Sequence, residues 1–498
     1  MKYLAAANFR KTAFRLSFVD QILLVCFRIA PNPKRRQMAS RVQRTLSIAL
    51  GAFIILFLAT LCSTPVGAQA WWNDVENGRP SPSIGSSLPY QGDPGGYRKW
   101  LGDRGIIYGL EYTNDILANV HGGLRTGAID QGKVQGILTI DFNKLAGWQG
   151  LSLFANFFHI HNTGRLRRDY VGGINTISAI EAIPTTRLSE LWVQQSFGLN
   201  KASIRVGQLA ADTEFFYSEL SSMFPQSDWP TIAAVNLPSG GAAYPLSTPG
   251  ARLMVKPIDT VWFRLAILNG DPAGPGMGEA ELRNRYGLNF RIKDPPFVIG
   301  EVEFQNNTGK NDLGLATTLK LGGWGHFGKF DDMRFADDRS LLANPFGSGI
   351  PLQHRGNSGV YAVVDQKLYR LRDGDSQSGI SMYTRMSISP SDRNFIDRYI
   401  DGGLVFAGFI PSRKDDRFGI GAIYSRFSSS IRSFDREQIT FNGSPGVVRD
   451  SETNLQLSYA AQIVPGWIVQ PVLTRIWHPA GDASRNAIVI GVRSRWQY

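Results

Sequence analysis

Two histidines, His159 and His161, stand one residue apart in "LFANFFHIHN" and share a face if that stretch is a β-strand. Two imidazoles on one face can begin a metal site, but no third ligand is evident, so they read as two polar strand positions. No G-x-S-x-G elbow occurs, and Gly419 and Gly421 in "GIGAIY" lack the later glycine of a dinucleotide loop. No nucleophile and base are nominated, so no enzyme, metal or cofactor is expected. A second set of residues is richer. The stretch 210–250 carries Asp212, Glu214, Tyr217, Asp228 and Trp229, and flanking segments carry Glu190, Trp192, Arg205, Arg252, Arg264 and Arg385. Facing carboxylates and guanidinium groups present acceptors and donors to hydroxyl groups, while an aromatic ring packs on an apolar face. Each alone reads first as a generic solvated residue. Their meaning depends on the elements that bring them together.

Those elements alternate with period two. In the last twelve residues, "AIVIGVRSRWQY", Ile488, Ile490, Val492, Ser494, Trp496 and Tyr498 fall on one face, and Gly491, Arg493, Arg495 and Gln497 on the other. Leu455, Leu457, Tyr459, Ala461 and Ile463 repeat the pattern against Asn454, Gln456, Ser458 and Gln462. Seventeen such segments can be marked, bounded by Gly, Pro, Asp or Asn, and no stretch of 18 apolar residues follows residue 70. One alternating strand taken alone fits a soluble sheet better, but the connections choose. "LNK" (199–201), "IDT" (258–260), "KDPP" (293–296) and "VPG" (464–466) are tight turns, whereas 162–187, 210–250, 269–284, 327–357 and 428–451 are long. Short turns on one rim and long loops on the other describe an all-β, single transmembrane antiparallel barrel.

An up-and-down barrel with both ends on one side needs an even number of strands, so seventeen is wrong by at least one. Two long loops on one rim must enclose an even number of strands, yet three fall between 269–284 and 327–357: "RYGLNFRI", "FVIGEVEF" and "ATTLKLGGWGHF". The fault lies there. Sixteen strands are expected, with eighteen as the other count. At either count the polar positions line a lumen that holds water and solutes. Trp148, Trp192, Trp262, Trp467, Trp477, Trp496 and Tyr498, near strand ends, suit interfacial girdles.

The net charge of +12 is concentrated at the start: residues 1–70 hold ten Lys/Arg and one acid, so the remaining chain carries 43 bases against 40 acids. That near-neutral body has no basic stripe for nucleic acid. Arg41 and Arg44 precede an apolar run, Leu46 to Leu61, and "STPVGAQA" ends in an A-x-A cleavage pattern, so 38–70 reads as a secretory signal. Residues 1–37 read as an extension ahead of a start at Met38, 71–104 as a periplasmic segment, and 105–498 as the barrel. Both cysteines, Cys26 and Cys62, lie in the leader, so the exported body gains nothing from disulfides.

The longest link is also the most specific. "SIRVGQLAADTEFFYSELSSMFPQSDWPTIAAVNLPSGGAAYPLSTPGARL" (203–253) resembles the carbohydrate-selective, OprB-like porin family of Gram-negative outer membranes, as do "IPTTRLSELWVQQSF" (183–197), "NGDPAGP" (269–275), "HRGNSGVYAVVDQ" (354–366) and "IDGGLVFAGFIPSRKDD" (400–416). The resemblance runs from about residue 93 to the end. It implies a sixteen-stranded passive channel for glucose-like monosaccharides; the link 210–250 follows the fifth strand onto the long-loop rim, and is expected to fold inward and narrow the pore. It also implies that the aromatic end, Trp496 and Tyr498, is the signal read by the barrel-assembly machinery. Small sugars and outer-membrane lipid are the expected partners. The outward faces are apolar whether they meet lipid or a neighbouring barrel, so a homo-oligomer stays open. Arg-rich walls attract anions, so a general or organic-anion-selective porin is the other reading.

Overall fold

The computed structural model describes residues 75–76, 79–309, 312, 314–371, 378–443 and 445–498. The expected extension and secretory signal, 1–37 and 38–70, lie outside the described residues. Among the described residues sixteen antiparallel strands close into one barrel. They are β1 (Ile106–Gly122), β2 (Gly127–Asp141), β3 (Leu151–Asn162), β4 (Thr185–Phe197), β5 (Ala202–Leu209), β6 (Thr248–Ile258), β7 (Val261–Asn269) and β8 (Pro296–Asn306). The second half comprises β9 (Thr317–Ala336), β10 (Pro351–Tyr369), β11 (Gly379–Ile388), β12 (Ile396–Ala407), β13 (Arg417–Phe427), β14 (Ser451–Val464), β15 (Trp467–Trp477) and β16 (Asn486–Gln497). Each pairs with its neighbours in sequence, and β16 returns to pair with β1. Closure matters because no water in hydrocarbon can satisfy a free strand edge. No helix among the described residues is long and apolar enough to cross a membrane.

The surplus seventeenth segment is "RYGLNFRI". Residues 285–292 form no strand; they belong to one connection, 270–295, between β7 and β8. "KDPP" is accordingly the end of that long loop rather than a tight turn. Gly287 shows why the stretch cannot run straight: its φ is +69°, and a Cβ there would sit 1.9 Å from the Leu188 carbonyl oxygen. The remaining tight turns stand on the short rim, together with links of nine or ten residues at 307–316, 370–378 and 408–416.

Alternation sets the two faces. On the outward phase Ile116, Val206, Ile267, Leu321, Val360 and Ile388 are exposed in the isolated chain, as a lipid-facing belt requires. On the inward phase of β16, Arg493 forms an ion pair with Asp115 at 2.7 Å, while Ile490 and Val492 point outward. Trp467 and Trp496 stack at 4.2 Å on the outer wall, and Trp148 is exposed near the short rim. Trp192 and Trp262 depart from the girdle expectation. Both are buried, because Trp192 shares its phase with Glu190, and Trp262 with Arg264, and that phase faces inward.

Candidate functional site

The connection from β5 to β6, 210–247, does not stand above the rim. Its neck is tied by the Ala211 N–H donating to the Ala242 carbonyl at 2.6 Å and the Tyr244 N–H donating to Asp212 Oδ2 at 2.8 Å. From there it crosses the lumen. Phe216 N–H donates to Glu301 of β8, Glu219 N–H to Asp365 of β10, and Gln226 Nε2 to the Gly421 carbonyl of β13. Gln470 of β15 donates to the Met223 carbonyl at 2.7 Å, and Asn236 to that of Ile396 on β12. A segment that reaches inward groups on so many strands lies inside the barrel and narrows it.

The glycines that looked like a weak dinucleotide motif have a structural task. A Cβ on Gly419 or Gly421 would stand 2.6 Å or 2.9 Å from the Phe224 ring. These two glycines of β13 are the seat on which the loop's Phe224 rests. His159 and His161 lie on the outward phase of β3, away from the lumen, with His161 Nε2 3.1 Å from the Tyr112 hydroxyl. Among the described residues no His/Cys/Asp/Glu group could hold a metal ion.

At the narrowing the charged residues form two connected clusters. In the first, Glu214 receives Arg205 Nη1 at 2.5 Å and Arg252 Nε at 2.8 Å, and both guanidinium groups also donate to Gln194 Oε1 at 3.0 Å. Burial pushes the Glu214 carboxyl up, but Arg205, Arg252 and Arg264 outweigh it and hold the group at about 2. Arg205 lies 3.6 Å over the Trp192 ring, whose plane also stacks with Phe154 at 4.8 Å. In the second, Arg264 bonds to Glu303 and lies 3.4 Å from Glu301, with Lys320 3.5 Å from Glu303. Lys320 also sits 5.6 Å from the centroid of Tyr217, which is 42% exposed.

The other expected residues hold the loop. Glu190 accepts from the Ala210 N–H at 3.4 Å. Arg385 pairs with Asp401 directly across the β11–β12 ladder and donates to the carbonyls of Phe216 and Asp228 at 3.3 and 3.1 Å. Trp229 is 4% exposed and meets Phe216 edge-on at 5.1 Å, while Phe216 stacks on Tyr361 at 3.6 Å. Of the aromatics expected to meet a solute face, only Tyr217 is open; Trp192 and Trp229 are covered. Sequence reasoning missed Gln194, Glu301, Glu303, Lys320, Asp401 and Phe224. Strand phase could have found Glu301 and Glu303, which share the inward phase of "FVIGEVEF".

A closed sixteen-stranded barrel with an apolar outer belt, a charged lumen and an inward loop is an outer-membrane porin, a passive channel. The model of the carbohydrate-selective porin, OprB family, matches residues 125–498, and the chain belongs to that family. Porin B of Pseudomonas aeruginosa is 23% identical over 428 residues, covering 81% of this chain and 89% of that protein. The high-pH structure of Pseudomonas putida OprB superposes with a TM-score of 0.73 at 19% identity, covering 82% of this chain and 97% of its own. The protein is thus a carbohydrate-selective porin of a Gram-negative outer membrane.

Proposed function

We propose that glucose-like monosaccharides pass along a polar slot lined by two adjoining clusters on the neighbouring strands β4 to β9 and the loop, Arg205, Arg252, Glu214 and Gln194 in one and Arg264, Glu303, Lys320 and Tyr217 in the other. The observation that carries this reading is charge pairing. The cations of both clusters are already engaged by carboxylates, Arg205 and Arg252 by Glu214, and Arg264 and Lys320 by Glu301 and Glu303, so one net positive charge remains, on the Glu214 cluster. A paired guanidinium and carboxylate still offer a fork of donors and free lone pairs to a sugar hydroxyl, and draw a passing anion far less than four unpaired cations would. The open Tyr217 ring supplies a surface for the apolar face of a pyranose. Glu190, Asp212, Asp228, Trp229 and Arg385 act by holding the loop, and Trp192 by supporting Arg205.

Liposome swelling with glucose, a disaccharide and a small carboxylate tests the reading. Glucose should enter fastest. Faster swelling with the carboxylate would favour an organic-anion channel instead. The same proposal extends to assembly, with Trp496 and Tyr498 as the terminal signal: removing Tyr498 should lower the amount of folded barrel in the outer membrane, and an unchanged amount would refute it.

A further inference from the structure

The stretch ahead of β1 packs on the outside of the barrel seam. Tyr108 lies on the outward phase two residues before the exposed Leu110, and Tyr498 extends that phase from Trp496. Between these two rings sits the guanidinium of Arg98, 4.6 Å from the Tyr108 centroid and 4.4 Å from that of Tyr498, with Nη2 donating to the Tyr108 carbonyl at 2.6 Å. The Tyr498 hydroxyl donates to the Gly92 carbonyl. Helix Tyr97–Asp103 is therefore held against the lipid-facing wall at the short-turn rim.

That helix has three faces. Arg98 and Gly102, one turn apart, are buried against the barrel. Lys99 and Asp103 form an exposed ion pair at 2.7 Å. The third face carries Tyr97 at 73% and Trp100 at 52% exposure, with the Arg104 guanidinium 4.1 Å over the Trp100 ring. Leu88 and Tyr90 just upstream are also exposed. For a helix bathed in water this is inverted: an arginine is withdrawn from solvent and two large aromatics are left in it. The inversion disappears if the third face meets a membrane interface, where amphipathic rings are at home and an arginine stem reaches back toward water. Trp148, Phe197 and Leu199 are likewise exposed on the short-turn rim.

We infer that Tyr97 and Trp100 insert into the headgroup region of the inner leaflet, making residues 88–104 an interfacial anchor that the barrel carries beside its seam. The occupant of the aromatic face is phospholipid, and Lys99 and Asp103 mark the waterward edge.

Spin labelling tests this on the full chain, with Cys26 and Cys62 replaced by Ser and one cysteine introduced as Tyr97→Cys, Trp100→Cys or Lys99→Cys. In liposomes of phosphatidylethanolamine and phosphatidylglycerol, labels at 97 and 100 should collide with oxygen in preference to a water-soluble nickel chelate, several-fold more so than the label at 99. Equal nickel access at all three positions would overturn the inference. So would labels that are open to nickel in liposomes and shielded only in native outer membrane, since a periplasmic protein would then be the cover. Quenching of Trp100 by lipids brominated near the headgroup, read as the component lost in Trp100→Phe, needs no label: a lost component is expected, and no difference counts against the anchor.

Discussion

The two guanidinium groups that share Glu214 allow a quantitative test of the paired slot. In Glu214→Gln the side chain keeps its shape and hydrogen-bonding reach, but the cluster of Arg205 and Arg252 gains one unit of positive charge. Both arginines keep Gln194 Oε1 as an acceptor and the loop neck at Ala211 and Ala242 is untouched, so the loop stays docked. At a separation of about 4 Å, one unit charge in water-like dielectric is worth about 1 kcal/mol to a passing ion. The screening length at 0.1 M salt is about 10 Å, so an ion in the slot feels most of it. Anion occupancy should then rise roughly fivefold and cation occupancy fall by a similar factor, shifting the anion-to-cation permeability ratio by about 25-fold. Planar-bilayer reversal potentials in a KCl gradient measure that ratio directly. Glucose is uncharged and feels no such field, so its swelling rate should change far less than the ion ratio. An unmoved reversal potential would show that Glu214 does not set the field of the pore, and the pairing argument would fail.

Other expectations follow from the same contacts. Arg205→Ala should slow glucose swelling and loosen Trp192, and an unchanged rate would remove Arg205 from the solute path. Burial raises the Asp212 carboxyl to about 6, and burial with neighbouring Asp212 raises that of Asp228 to about 7. Both lie above the ordinary carboxylate value of about 4, so their ionisation opposes loop docking above about pH 7, and that penalty fades as pH falls. The anion-to-cation permeability ratio should rise between pH 8 and pH 5, with Asp228→Asn flattening the upper part of the profile. Gly419→Val should unseat Phe224 and raise conductance together with disaccharide swelling; unchanged values would mean the loop is held without that seat. Arg98→Ala should lower the temperature at which the folded barrel loses its electrophoretic mobility shift, because the seam loses the side chain stacked between Tyr108 and Tyr498.

Much of the fold can be read from period-two alternation because both sides of a barrel wall are single, uniform environments. An extra strand is also detectable, since parity couples it to every loop beyond. "RYGLNFRI" alternates like a strand, and only the even count between two long loops exposes it. The misplaced tryptophans have the opposite origin. Proximity to a strand end suggests a girdle, but phase decides the side, and the polar neighbours two residues away, Glu190 and Arg264, already place Trp192 and Trp262 inward.

The site is less legible for a physical reason. Which arginines line the lumen follows from phase, but which carboxylate each meets depends on register and on where a 38-residue loop lands. Arg385 and Asp401 are register partners sixteen residues apart and could be found from a hairpin alignment. Arg205 and Glu214 depend on the loop turning back at Ala211, which local pattern does not encode. The seat for Phe224 is harder still, because glycine signals only that something approaches. Its partner lies about two hundred residues away, at Gly419 and Gly421. Strand phase therefore identifies the charged wall, while the long-range docking of 210–247 decides whether those charges act as an open anion attractor or as paired donors and acceptors for a neutral solute. The structure pairs them at the narrowing, and this is why the selectivity of the channel should reside in the loop's Glu214 as much as in the arginines of the wall.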